Sequence, residues 1–367
     1  MIVDDKLVRS GCGKSHNRRW LTAFFVLCTL ALLTGKAAYA DPDFNQVAGG
    51  TSSDSPALTF LNGVPVMMAR ANDASNAMWY SINRGSWIKV PSGTTLAAPA
   101  LVTFQSNVIA VSAGTDGNYY SMVMSNASEA PSSWAFNATW TVVPGISGRA
   151  RTNLRPAVAA TTSNSIFIFA TYNDETINFS SAHQINSNGS IDWGSFNVVP
   201  GGGFTTSSVS AAVSNGILVV FQTGTDHHLY VQSFSVGGDF WQNLWIDISF
   251  SLTQNLSFST SVASIGSDED LVGNFAVCGV DGNVLRIDCT SVTAFLDSDG
   301  KTFSYVLGTP SVLNVPGVPQ IMHPPTVASD ANNLIAIAAT FSSPTNAQPS
   351  VWLSEVKSLS ALVTPGQ

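Results

Sequence analysis

Two short stretches carry side chains that could do chemistry at matched spacing: GTDGNYY at Gly114–Tyr120 and GTDHHLY at Gly224–Tyr230. In each, an Asp (Asp116, Asp226) stands two positions after a Gly and shortly before aromatic rings, Tyr119 and Tyr120 in the first and Tyr230 in the second. A carboxylate accepts hydrogen bonds from hydroxyls, and aromatic faces stack on the apolar C–H faces of sugar rings. Trp79-Tyr80, following the turn in NDASNAMWY, repeats that chemistry earlier in the chain. His227-His228 adds two titratable rings that no turn requires. The same Asp residues have a plainer use. Asp bonds a backbone N–H two residues on and Gly supplies positive φ, so Asp116-Gly117, Asp174-Glu175, Asp226-His227 and Asp281-Gly282 also read as hairpin turns. On that reading the shared residues make the turn, and the residues that differ after the Asp are where a ligand would be held.

Other chemistries find little footing. Hydrolysis of a glycosidic bond by two carboxylates needs a pair about 5 to 9 Å apart. The four glutamates beyond residue 40 (Glu129, Glu175, Glu269, Glu355) fall in turn-like or edge-like segments, and no Asp pair stands out. Of His183, His227, His228 and His323, only the adjacent pair is close in sequence, and neighbours on a strand face opposite ways. Asp268, Glu269 and Asp270 lack the alternating oxygen positions of a calcium loop. Neither G-x-S-x-G, a phosphate loop nor C-x-x-C occurs, so no metal and no cofactor is expected.

The elements that must position these residues repeat. Each unit opens on a phrase such as SPALTF (Ser55), APALVTF (Ala98), RPAVAAT (Arg155), VSAAVSN (Val209), STSVASI (Ser259) or PPTVASD (Pro324). An apolar strand, an Asp or Asn turn and another strand follow, then a closer such as WIKVPSG (Trp87), WTVVPG (Trp140), FNVVPGG (Phe196), WIDIS (Trp245), LNVPG (Leu313) or LVTPG (Leu362). One phrase order repeated six times is the signature of propeller blades. The prediction is an all-β chain forming one propeller of four-stranded antiparallel blades, six in number, with seven as the alternative. The segment FNQVAGG (Phe44–Gly50) resembles a closer, as though the first strand sealed the ring from the last blade, yet the last unit carries LVTPG of its own. Trp87, Trp140, Trp193 and Trp245 recur near the closers, where packing between blades is their default use.

The unit SAAVSNGILVVFQTGTDHHLYVQSF…WQNLWIDI, with its P-A-V-like start, G-T-D turn and Trp-led closer, resembles the repeats of the PLL-like group of bacterial β-propeller lectins. The likeness is clearest in the second and fourth units. It implies binding of fucose or related glycans in shallow pockets between blades, on aromatic platforms and polar turn residues. Here those would be Trp79, Tyr80, Asp116, Tyr119, Tyr120, Asp226, His227, His228 and Tyr230. The repeats depart from that pattern in their uneven spacing. A competing class is the sialidase-like or other glycoside hydrolase. LRPAV at Leu154 and LDSDGKTF at Leu296 resemble sialidase segments, although Arg155 is followed directly by Pro156 and Ser298 occupies the Asp position. A third class is an extracellular protein-interaction scaffold.

Residues 1–40 read as an export signal: a basic stretch ending at Arg18-Arg19, the 15-residue apolar run WLTAFFVLCTLALLT, and small residues at Ala38 and Ala40 before Asp41. The run is short for a membrane span, so the expected location is outside the cell or in the periplasm, without membrane insertion. Asp41–Gln367, the expected propeller domain, holds 9 Lys+Arg against 21 Asp+Glu, which argues against nucleic acid as a partner. Two cysteines remain in that segment, Cys278 and Cys289, and export permits a disulfide. A hairpin turning at Val280–Asn283 would place Cys278 opposite Leu285, with Cys289 about 13 Å further along the strand. The bond requires a wider turn or a bulge, and both outcomes stay open.

Overall fold

Ile166–Thr171 (IFIFAT) and Ile217–Thr223 (ILVVFQT) are apolar at both strand parities, and both faces of each strand are buried. A strand of that kind needs a partner layer on either side. In the computed structural model these strands are the second strands of blades in a β-propeller, sandwiched between the blades before and after. The structure describes residues 44–356 except 138, 146–147, 152, 162–164, 250–258, 267–271, 282–285, 314–319 and 343–348. They lie within one compact unit, Asp41–Gln367.

Blade 2 shows the plan. Ala100–Phe104 lies innermost, followed by Asn107–Ala113, Tyr119–Val123 and the outer Thr141–Val143, each antiparallel to the one before. Six such sheets cover residues 57–94, 100–143, 157–198, 210–247, 261–313 and 320–356. The sixth is completed on its outer edge by Asn45–Thr51, paired antiparallel with Pro349–Val356. The closer-like segment near the N-terminus is therefore the outermost strand of the last blade, and the ring has six blades, not seven. LVTPG lies outside the described residues. Innermost strands touch in cyclic order, and Thr326–Ser329 meets Ala57–Leu61 to close the ring.

Six apolar clusters fill the six blade interfaces. Strand parity assigns each side chain to one of them. Ile166 and Ile168 pack toward blade 2, whereas Phe167 and Phe169 pack toward blade 4. Each such side chain contributes roughly 1.5–3 kcal/mol by leaving water, so the interfaces hold the ring together. Trp193 is buried in one of them, its indole N–H donating to Ser121 Oγ of the neighbouring blade at 3.1 Å. The first hairpins of blades 1 and 4 reverse at Asn62-Gly63 and Asn215-Gly216, with φ between +46° and +75°. Asn and Gly suit the type I′ turn, which needs positive φ at both central residues.

Cys278 and Cys289 are directly opposed and joined, with Cα atoms 4.1 Å apart. The strands stay paired through Val280–Ile287 and Asp281–Arg286, so Val280 and Asp281 belong to the strand and not to a turn at Val280–Asn283, and the partner of Cys278 shifts from position 285 to 289. LDSDGKTF is a second such reversal. Asp299 accepts the amides of Lys301 and Thr302, Gly300 has φ +65°, and Ser304 donates to Asp297. Both its carboxylates serve the turn.

Candidate functional site

The G-T-D turns lie on one face of the ring, where second strands hand over to third strands. In blade 2 the Gly114 amide donates to Asn118 O at 2.7 Å and the Gly117 amide to Gly114 O at 3.2 Å. Asp116 accepts the Asn118 amide and side-chain N–H, and the Tyr120 hydroxyl at 2.5 Å. Blade 4 repeats this arrangement. Asp226 accepts the His228 amide at 3.1 Å and the Tyr230 hydroxyl at 2.7 Å. A Cβ on Gly114 would lie 2.6 Å from the Tyr120 ring, and one on Gly224 would lie 2.8 Å from the Tyr230 ring. Gly, Asp and Tyr are thus one device: the ring folds back over the turn and ties its hydroxyl to the carboxylate. Blades 1 and 3 use a hydroxyl from the turn itself, Ser75 on Asp73 and Thr176 on Asp174.

The bonds leave their mark on acidity. The Tyr120 hydroxyl, with Asn118, holds Asp116 below the ordinary carboxylate value, and the Asp116 carboxylate raises Tyr120. Asp226 raises Tyr230 to about 12. Burial works against the ionised form of Asp226, but the Tyr230 hydroxyl and the His228 amide outweigh it and the carboxyl stays low.

Two of the expected ligand rings turn the other way. Tyr119 is fully buried between blades 2 and 3, and Tyr80 is buried against Phe136, with ring centroids 5.2 Å apart. Neither offers surface to a ligand. The motif copies align Tyr119 with Leu229 and Tyr120 with Tyr230; the first pair points into the core and the second lies half-exposed along the blade edge. Trp79 is half-buried. The alternation of a strand explains the split, because consecutive residues face opposite sides. His227 is exposed at φ +66°, the place Gly117 fills in blade 2 at φ +83°. It occupies the left-handed position of the turn.

Beside the first turn, a groove of about 340 Å³ runs between blades 1 and 2. Ser92 and Thr94 of blade 1 line one side; Ser112, Asp116, Tyr120 and Trp140 of blade 2 line the other. Trp140 Nε1 and Ser112 Oγ are buried polar atoms without a hydrogen-bond partner among the described residues. Buried donors are normally paired, and leaving one unpaired costs on the order of 1–3 kcal/mol. The indole nitrogens of Trp87 and Trp245, at the same place in blades 1 and 4, are unpaired in the same way, so the feature belongs to the closer position as well as to this groove. Thr94 and Ser112 lie outside the repeated phrases, whereas Ser92 lies near the end of the closer WIKVPSG without any chemistry that singles it out. The Trp-led closer was the one signal for Trp140.

In blade 4 the larger Gln222 takes the place of Ser112, and Trp245 that of Trp140. Here a polar strip forms instead. His228 Nδ1 meets Asp247 Oδ2 at 2.8 Å, and the His228 and Tyr230 rings stack with centroids 6.5 Å apart. The Asp247 carboxylate raises His228 above the ordinary histidine value of 6.5. A raised histidine contributes fully below its unfolded value and loses that contribution as pH climbs through the folded one. An NMR titration is therefore expected to give His228 a midpoint above 6.5, falling back toward 6.5 in Asp247→Asn; equal midpoints in the two proteins would disprove the pairing. Among the described residues, no group of three or more His, Cys, Asp or Glu is placed to hold a metal ion.

No family model and no curated protein sequence matches the chain. Solved structures do. A mutant of AofleA from Arthrobotrys oligospora aligns with TM-score 0.54 at 10% identity, over 86% of this chain and 90% of that one. The Aleuria aurantia lectin in complex with α-methyl-L-fucoside aligns with TM-score 0.50 at 13% identity, over 83% and 94%. The intramolecular trans-sialidase from Ruminococcus gnavus, in complex with oseltamivir carboxylate, aligns with TM-score 0.55 at 9% identity, over 90% and 100%. At such identities the likeness is one of fold, shared by a lectin and an enzyme alike, and the choice between them falls to the residues of the site.

Proposed function

We propose that this protein is an exported, non-catalytic carbohydrate-binding protein that holds a glycan in the groove between blades 1 and 2. The observation carrying this reading is the lining of that groove, where the Trp140 indole, the Tyr120 phenol and the Asp116 carboxylate of one blade stand beside Ser92 and Thr94 of the other. Sugars match that set. Their C–H faces lie on aromatic rings and their hydroxyls both donate and accept. Fucosylated glycans are the first ligands to try, on the strength of the repeat phrase and of the fucoside held by the Aleuria aurantia lectin. Export rests on residues 1–40, and N-terminal sequencing of the secreted protein should begin at Asp41.

A glycan array followed by calorimetry tests the reading. Retention of fucosylated glycans is expected, with Kd rising at least about tenfold in Trp140→Ala, equivalent to roughly 1.4 kcal/mol. Tyr120→Phe removes the hydroxyl on Asp116 and is expected to weaken binding less while keeping the fold. Silence across the array, together with hydrolysis of a chromogenic glycoside, would replace the lectin with an enzyme.

A further inference from the structure

The ring axis holds a second polar site that owes nothing to the groove. A cavity of about 120 Å³ lies where the innermost strands begin, walled by the opening phrases of all six units. Hydroxyls there lace neighbouring blades together. Ser55 Oγ donates to Pro324 O, Thr326 Oγ1 donates to Pro56 O, and Ser261 Oγ accepts the Val327 amide. Into this ring reaches Arg155, which crosses from blade 3 so that its Nη1 donates to Thr326 Oγ1 of blade 6 at 2.7 Å.

Arg155 is the one cation among the described residues of the cavity wall, and its N–H groups outnumber the partners they have. A guanidinium carries five N–H groups, and that of Arg155 makes one hydrogen bond, to a neutral oxygen, among the described residues. It belongs to none of their ion pairs. Asp54, the one carboxylate in the wall, is already engaged: it accepts the Ser55 and Ala98 amides and stands 3.8 Å from Arg70. Ser208 and Ser261 accept backbone amides through their oxygens, which leaves their hydroxyl protons free to donate. Burial lowers Arg155 to about 10, and nearby Asp54 offsets part of that. A desolvated guanidinium is the group for which a bound oxyanion is worth most.

We propose that the axial cavity binds a carboxylate, held between the Arg155 guanidinium and the hydroxyls of Ser208 and Ser261. The cavity admits a group of that size, and one monoanion balances one guanidinium. The carboxylate could arrive as a small free acid or as part of an acidic sugar; recognition is the same for both.

Sodium acetate, sodium glucuronate and glucose are titrated into the protein at constant ionic strength, following the arginine side-chain 15N resonances. Acetate is expected to shift the Arg155 Nε resonance saturably and glucose to leave it unmoved. Saturation by glucuronate as well would identify an acidic sugar as the source, and saturation by acetate alone a free acid. Ser208→Ala/Ser261→Ala should raise the acetate Kd about tenfold, and Arg155→Met should abolish the rise in melting temperature that acetate gives the parent. Should Arg155→Met fail to fold, the serine variant and the resonance titration decide. A linear, unsaturating response, or a saturable one that the serine variant leaves unchanged, would overturn the proposal. Trp140→Ala should retain the full acetate response, so failure of the glycan reading and failure of this one are read separately.

Discussion

Tyr119→Ala is expected to lower the unfolding free energy by about 3–5 kcal/mol, the range for truncating a fully buried aromatic ring. The ring packs with Val111, Val143 and Tyr172 at the interface of blades 2 and 3, without exposed surface. Its hydroxyl has no hydrogen-bond partner among the described residues, and burial drives its acidity far down, with Tyr172 nearby adding to the effect. Tyr119→Phe is therefore expected to leave stability unchanged or raise it by up to about 1 kcal/mol, since a buried group that bonds nothing costs free energy. Urea denaturation of the two variants measures both effects. Tyr120 provides the contrast one residue on: its hydroxyl is tied to Asp116 at the groove, so its loss should register in binding first. An unchanged urea midpoint in Tyr119→Ala, with glycan affinity gone, would move that ring from the core to the ligand.

The second large effect is the loss of the Cys278–Cys289 bond. Both residues are buried in the cluster between blades 5 and 6, and the bond closes a loop with a sequence separation of 11. Removing a link across a loop of that length costs about 3 kcal/mol through the conformational entropy that the unfolded chain regains. Cys278→Ala/Cys289→Ala should lower the urea midpoint accordingly, with the slope giving the conversion to free energy. Because both sulfurs are buried, reductant should act on the unfolded chain and hardly at all on the folded one. Two free thiols in the denatured, unreduced protein beginning at Asp41 would contradict the bond. A persistent cystine also fits an oxidising compartment, which is the environment that the first 40 residues suggest.

The propeller was legible because each unit must bury the same strands in the same order, and burial writes itself into the chain as a repeated phrase. The Asp turns were legible for a related reason. A hairpin reversal is local, and Asp116, Asp174 and Asp226 bond amides two residues away whatever surrounds them. Even the strand that seals the ring could be anticipated, since Phe44–Gly50 repeats the closer phrase.

The site was decided elsewhere. Composition placed two tyrosines after the first turn, but strand parity sent Tyr119 inward and left Tyr120 at the edge. The groove joins Ser92 and Thr94 of one blade to Ser112 and Trp140 of the next, residues that no single repeat unit contains together. Arg155 reaches Thr326 across 171 positions of sequence, because the ring sets blade 3 opposite blade 6. Hydrogen bonds within a turn depend on neighbours along the chain. A groove between blades and a cavity on the ring axis depend on which surfaces the closed ring brings face to face, and that order exists only in three dimensions.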